Sequence, residues 1–247
     1  MSRPIALVVA APGTNRDRDV ARALDLAGAE PRVTLLAELL ADRRLLDEAR
    51  MLVVAGGFSY ADALGAGRLL ALELTTGLAE ALPGFVAAGR PVIGICNGFQ
   101  ALVRTGLLPG PGLPAALGPN DTGRFECRWV RLAPRSSRCI WTRDLTDAIE
   151  CPIAHGEGRF ACAPETLAAL RHCDRIALTY EGANPNGSTG DIAGVCDESG
   201  LVLGLMPHPE NHIIARQHPQ ASRRRAADAS GLGLALFEQG VRHAKEL

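Results

Sequence analysis

The residues best placed to do chemistry lie in the run Pro91-Val92-Ile93-Gly94-Ile95-Cys96-Asn97-Gly98-Phe99-Gln100. A short apolar stretch that reads as a strand gives way to a helical pattern, and a cysteine stands at the joint. Glycines lie two places before it and two places after it. A sharp turn from strand to helix crowds the flanking positions, and glycine removes the side chains that would collide there. Such a turn lifts the sulfur to the C-terminal end of a sheet, where open α/β folds bind ligands. It also sets the sulfur at a helix N-terminus, which favours thiolate over thiol. The amide N–H of Asn97 then points at any oxyanion formed when Cys96 attacks a carbonyl carbon. A lone cysteine in an apolar run reads as a small core residue; the paired glycines make Cys96 a nucleophile.

A cysteine nucleophile needs a base, and the segment Leu205-Met206-Pro207-His208-Pro209-Glu210 offers one. Each proline fixes its own φ and pushes the residue before it into an extended form. Residues 206–209 are therefore expected to be extended, with His208 and Glu210 on one side of the chain. A carboxylate there orients the imidazole and stabilises its protonated form. An isolated His-Pro-Glu reads as a turn with surface charges; beside a cysteine elbow it reads as base and orienting acid. His155 and Glu157 offer a second pair. They read as a structural or interface loop, because the elbow already has its base.

These residues need a scaffold. Apolar runs at 5–10, 32–36, 51–55 and 91–95 alternate with helical patterns, which predicts a parallel sheet with helical crossovers. Asn15 or Asp17 is expected to cap the first helix, whose apolar face is Val20, Ala23, Leu24 and Ala27. Residues 39–49 read as one helix, and another lies within 64–82. Residues 107–121, rich in Gly and Pro, read as a loop. Strands are expected at 127–132, 138–141, 176–180, 191–196 and 202–206, with a turn at Asn184-Pro185-Asn186-Gly187. The last helix carries Leu234, Phe237, Val241 and Ala244 on one face. Residues 211–229 include the basic run Arg223-Arg224-Arg225 and read as an exposed loop.

Composition narrows the options. At about 100–200 residues per domain, 247 residues suit one large α/β domain. Hydrophobic residues at 47% and a net charge of −1 exclude bulk disorder and give no field that attracts nucleic acid or an anionic membrane. No apolar stretch approaches the roughly 20 residues of a membrane span, and Pro12 and Gly13 cut the first apolar run too short for a signal peptide. Seven scattered cysteines with no Cys-x-x-Cys pair suit neither zinc binding nor an export disulfide framework. Reduced thiols in a cytoplasmic protein are expected, with no metal.

The pattern Gly94-x-Cys96-x-Gly98-x-Gln100 with His208-x-Glu210 resembles the class I (triad-type) glutamine amidotransferases. Further segments resemble the branch that serves as glutaminase subunit of phosphoribosylformylglycinamidine synthase. These are Gly56-Gly57-Phe58-Ser59-Tyr60, Gly106-Leu107-Leu108-Pro109-Gly110, Ala154-His155-Gly156-Glu157-Gly158, and Asn184-Pro185-Asn186-Gly187-Ser188 followed by Asp191-Ile192-Ala193-Gly194. The resemblance implies a flavodoxin-like, open, mostly parallel sheet with flanking helices. It implies one amidotransferase domain over residues 1–247, with a loop and helix elaboration at 211–247. It also implies glutamine hydrolysis by Cys96, His208 and Glu210 through a glutamyl thioester, an oxyanion site at Asn97 and the Gly57 region, and a glutamine contact at Gln100. No Gly-x-x-x-x-Gly-Lys-Ser/Thr loop is present. ATP, Mg2+ and formylglycinamide ribonucleotide are therefore expected on a separate large synthetase subunit, and some members of the family add a third small subunit. Ammonia is expected to pass between subunits, with no cofactor on this chain. Ala61 stands where the family commonly has glycine, and Asn211 where its short form usually has arginine; Ala61 is expected to alter the loop that carries it. Two other readings remain open: a partner-free cysteine hydrolase on a related fold, and an inactive scaffold.

Overall fold

The computed structural model describes residues 3–223 and 231–247. Arg224 and Arg225, in the basic run, lie outside the described residues. The chain begins with β1 (Ile5–Ala10), α1 (Asp17–Ala27), β2 (Glu30–Leu35), α2 (Leu36–Ala41), α3 (Arg44–Glu48) and β3 (Met51–Val54). It continues with α4 (Arg68–Gly77), α5 (Ala81–Ala87), β4 (Val92–Ile95) and α6 (Asn97–Arg104). Then come β5 (Ala115–Gly118), β6 (Glu126–Pro134), β7 (Ile149–His155), β8 (Arg159–Cys162), α7 (Pro164–His172) and β9 (Ile176–Glu181). Last are β10 (Ile192–Cys196), β11 (Val202–Leu205) and α8 (Leu234–Glu246).

Nine strands form one sheet in the order β2-β1-β3-β4-β11-β10-β9-β6-β7, and β5 pairs with β8 separately. β2, β1, β3, β4 and β11 are mutually parallel, in the 2-1-3-4-5 order of flavodoxin-like sheets. From β11 onward the pairing is antiparallel through β10, β9, β6 and β7. The sheet is therefore mixed, with a parallel half built from crossovers and an antiparallel half built from returns. β3, β4 and β11 are buried at every residue, as strands covered on both faces must be. β7 instead alternates buried and half-buried residues from Ile149 to His155, the mark of a strand covered on one face.

Several expectations need correction. Residues 138–141 are not a strand. They lie in turns held by Ser136, whose Oγ accepts the N–H groups of Arg138 and Cys139, while the Trp141 indole donates to the Leu201 carbonyl at 2.9 Å. Their apolar character reflects a core plug: Cys139 and Trp141 are fully buried, and Gly240 of α8 leaves the room that the Trp141 ring fills. The expected loop at 107–121 contains β5. The helix expected at 39–49 is two short helices broken at Asp42. No side chain caps α1; Asp17 and Asp19 in its first turn complement the helix dipole instead. Strands β7 and β8 and helix α7 carry no counterpart in the sequence reading. Pro152 disguises β7, and it is tolerated there because β7 is the sheet's last strand.

The C-terminal helix packs on α1 and on β3, burying Leu236, Phe237, Val241 and Ala244, with Leu234 half-buried. No single helix among the described residues is long and apolar enough to cross a membrane.

Candidate active site

β4 and β11 are parallel neighbours in the register Ile95↔Leu205, so the residues just beyond each strand emerge side by side. The Cys96 N–H donates to the Leu205 carbonyl at 2.8 Å, which ties the two exits together. Cys96 has φ +49 and ψ −104, outside the ordinary regions for a side-chain-bearing residue. Packing imposes this conformation. A Cβ at Gly98 would stand 2.0 Å from the Val54 carbonyl oxygen, and one at Gly94 would stand 2.6 Å from Leu102. A Cβ at Gly204 would stand 2.0 Å from the Phe99 ring. These three glycines let α6 sit directly on the sheet, and the turn into α6 follows.

The His208 ring stands beside the Cys96 sulfur in one cavity, and His208 Nδ1 lies 2.7 Å from Glu210 Oε1. Gly56 makes the approach possible: a Cβ there would lie 3.1 Å from the His208 ring and 3.4 Å from Cys96 Cβ. The extended segment ends at His208. Glu210 returns through a 3-10 turn at Pro209–Asn211 rather than along a shared extended face. Both His208 and Glu210 are almost wholly buried. Burial pulls the imidazole pKa down, yet the Glu210 carboxylate and the Cys96 sulfur outweigh it and hold it up at about 10. The arrangement favours an imidazolium beside sulfur, ready to give a proton to a leaving group.

A cavity of about 200 Å³ opens onto this pair and is lined by Gly57, Cys96, Asn97, Gln100, His155 and His208, among others. Five of the six expected site residues thus share one cavity, and Glu210 stands behind His208. Gly57 has φ +127, and a Cβ there would meet the Asn15 backbone nitrogen at 2.5 Å, so this loop needs a glycine. Asn97 Nδ2 donates to Asp62 Oδ1 at 2.9 Å and to Gln100 Oε1 at 3.0 Å, while Ser59 donates to Asn97 Oδ1. Gln100 Nε2 donates to the Glu157 carbonyl. Ala61 adopts φ +54 despite its side chain, so the substitution leaves the loop in a left-handed form rather than moving it out. Asn211 donates to Asp19 Oδ2 at 3.1 Å, fastening the segment after the triad to α1.

In the opposite wall, β7 has no counterpart in the sequence reading, which takes residues 155–157 as a structural or interface loop. β7 is the end strand of the sheet, and its outward carbonyls at 150, 152 and 154 all face the segment after β11 or the nucleophile. The Glu150 oxygen lies 2.6 Å from His212 Nδ1, the Pro152 oxygen accepts the His208 N–H at 2.8 Å, and the Ala154 oxygen lies 3.9 Å from Cys96 Sγ. One signal could have found this wall: the alternation of Ile149, Cys151, Ile153 and His155 along one face. Among the described residues no group of His, Cys, Asp and Glu is arranged to hold a metal ion.

Residues 3–244 match the family model of the CobB/CobQ-like glutamine amidotransferase domain. Phosphoribosylformylglycinamidine synthase subunit PurQ of Treponema denticola is 46% identical, over 98% of this chain and 99% of that protein. The same subunit of Dehalococcoides mccartyi is 41% identical over the full length of both. Among solved structures, a chain in PurLQS from Thermotoga maritima shares 33% identity with a TM-score of 0.75, over 97% of this chain and 98% of that one. A glutamine amidotransferase from the same organism, 16% identical with a TM-score of 0.61 over 99% of this chain and 100% of that one, shares the fold. The chain belongs to the CobB/CobQ-like glutamine amidotransferase family, in the branch of the phosphoribosylformylglycinamidine synthase subunit PurQ.

Proposed function

We propose that this chain is the glutaminase component of phosphoribosylformylglycinamidine synthase and hydrolyses glutamine with Cys96, His208 and Glu210. Cys96 sulfur attacks the side-chain amide carbon of glutamine. The tetrahedral oxyanion is held by the Asn97 N–H at the start of α6 and by the Gly57 loop. His208 gives its proton to the amide nitrogen, the C–N bond breaks, and ammonia leaves a glutamyl thioester on Cys96. His208, now neutral, takes a proton from water, and the hydroxide carbon–oxygen bond forms as the sulfur departs. Glu210 holds the ring in its productive orientation throughout. Gln100 contacts the bound glutamine, and the chain works as one amidotransferase domain with the 211–247 segment as its elaboration.

Ammonia then passes to a separate large synthetase subunit, which converts formylglycinamide ribonucleotide and ATP to phosphoribosylformylglycinamidine in purine biosynthesis. That subunit uses ATP and Mg2+, a third small subunit completes the assembly, this chain carries no cofactor, and the complex works in the cytoplasm. Passage between subunits suits the chemistry, since free ammonia becomes ammonium near neutral pH and loses the lone pair that attacks. The observation that carries the reading is the left-handed Cys96 at the β4–α6 joint with the buried His208–Glu210 pair against it. The likeness to PurQ proteins over nearly the whole chain supports the substrate and the partner. In the assembled complex, Cys96→Ala is expected to cut glutamine-dependent synthesis by at least about 10³-fold and leave ammonia-dependent synthesis intact. Persisting glutamine hydrolysis in that variant would overturn the nucleophile.

A further inference from the structure

The catalytic cavity is lined by a histidine that the Cys96–His208–Glu210 chemistry does not use. His155 is 3% exposed and lines the cavity with Cys96 and His208. Its tautomer follows from Asn120. The Asn120 Nδ2 group donates to the carbonyls of Arg124 and His155, both at 2.8 Å, and Oδ1 accepts the Gly158 N–H at 3.1 Å. Oδ1 therefore faces His155 Nδ1, 3.0 Å away, and Nδ1 carries the proton. The lone pair is left on Nε2, which is buried and has no hydrogen-bond partner among the described residues. The ring is packed directly on backbone: a Cβ at Gly158 would stand 2.2–2.6 Å from its atoms. Burial, and then the charge on His208, hold its pKa down at about 4, so the ring is neutral near pH 7. An unpaired acceptor in a buried site is costly unless something supplies its donor.

We infer that His155 Nε2 accepts a hydrogen bond from the side-chain amide N–H of glutamine and keeps it on the ammonia as it leaves. This rests on glutamine being attacked by Cys96. The backbone just before His155 already stands at the reacting atoms, with the Ala154 oxygen 3.9 Å from Cys96 Sγ. For the C–N bond to break, the amide nitrogen has to turn its emerging lone pair toward the His208 proton. An N–H held by His155 sets that orientation. The bond's electron pair then goes to nitrogen, the proton of His208 joins it, and the carbon keeps its bond to sulfur. A weakly basic imidazole has no proton on Nε2 to give, so the product stays ammonia.

The test compares glutamine with the γ-methyl ester of glutamate in the assembled synthase. Both carry the α-ammonium, and only glutamine has an N–H on its leaving group. His155→Leu is expected to lower kcat/KM for glutamine about 10–100-fold and to change ester hydrolysis less than about threefold. His155→Gln, which can return an acceptor, is expected to recover part of the amide activity. Retained ester turnover also reports that the variant is folded and assembled. Equal losses on the two substrates, or no loss on glutamine, would overturn the inference. Should His155→Leu fail to assemble, Asn120→Ala loosens the same ring, and its amide-to-ester ratio is expected to fall in the same direction; an unchanged ratio counts against the inference. Cys96→Ala, run alongside, removes both activities if the nucleophile is right, so failure of that reading shows separately.

Discussion

The catalytic cavity has two walls of different origin. One is the β4–α6 elbow in the parallel half of the sheet. The other is the end of β7 with residues 154–158, in the antiparallel half. The elbow is assembled mostly within thirteen residues: the strand, Gly94, Gly98 and the helix that fix Cys96 follow one another in the chain, and only Gly204 comes from elsewhere. The β7 wall is assembled from distant parts, with β6 pairing, the Asn120 amide and the Gly158 backbone all converging on His155. Local backbone geometry writes a signature into neighbouring residues. A wall made by register and by a side chain from a remote loop writes almost none.

This explains what the sequence disclosed. Cys96, with a glycine on each side, announces a strained turn because only glycine fits against Val54 and Leu102. His208 and Glu210 are legible because two prolines restrict the chain around them, although Glu210 arrives by a 3-10 turn. The parallel half was legible by alternation of strand and helix. The antiparallel half was legible in part: the strands expected at 127–132, 176–180 and 191–196 stand as β6, β9 and β10, but Pro152 breaks the strand pattern of β7 and buried turns around Trp141 imitate a strand. His155 looked like a loop residue because nothing near it in sequence reveals that it faces Cys96 and His208.

If the elbow side carries the proton chemistry, its variants produce the largest losses. Glu210→Gln keeps the shape and removes the charge that supports the His208 imidazolium. Glutamine hydrolysis is expected to fall about 10²–10⁴-fold. The variant also has a pH signature. In the parent protein the His208 pKa, about 10, lies above its ordinary 6.5. Its contribution to stability is therefore present in full below pH 6.5 and is lost as pH rises through about 10. Without the carboxylate, burial is less opposed, the His208 pKa drops, and that alkaline loss of stability flattens. Unfolding measured across pH 6–11, with the His208 titration followed by NMR, checks both; an unmoved pKa would remove Glu210 from the role.

A smaller effect is expected on the β7 wall, and it sharpens the contrast. Gly158→Ala places a methyl where the His155 ring now lies, with ring atoms 2.2–2.6 Å from the new carbon. Its backbone tolerates alanine, so the cost is the displaced ring: about 1–3 kcal/mol of stability. If the wall only closes the cavity, thermal stability drops while amide and ester hydrolysis fall together. If it holds the leaving nitrogen, glutamine turnover drops about 10-fold beyond the ester. The paired assay decides between them, and equal losses would leave the elbow as the sole reacting wall.

The smallest expected effect belongs to the loop that joins β3 to α4 and brings Asp62 to Asn97. Tyr60, Ala61, Asp62 and Leu64 all have φ between +53 and +65, a region that costs a side-chain-bearing residue about 1–2 kcal/mol. The conformation persists because its surroundings over-determine it. The Tyr60 N–H reaches the Pro12 carbonyl at 2.6 Å, the Ala61 N–H reaches Phe58 at 2.8 Å, and Tyr60 Oη donates to Glu73 at 2.7 Å. Ala61→Gly keeps every one of those bonds and relieves the strain. Glycine also loses more entropy on folding, which returns about 0.5–1 kcal/mol of the gain. The net expectation is a rise of about 0.5–1 kcal/mol in stability, or roughly 1–4 °C in Tm for a chain of this size. Activity is expected to change little, because Ala61 is exposed and is not among the residues that line the cavity. Differential scanning calorimetry reads the shift. A fall in Tm would mean that the left-handed turn is shaped by residue 61 rather than imposed on it, and the loop would then join the elbow as structure written locally in the sequence.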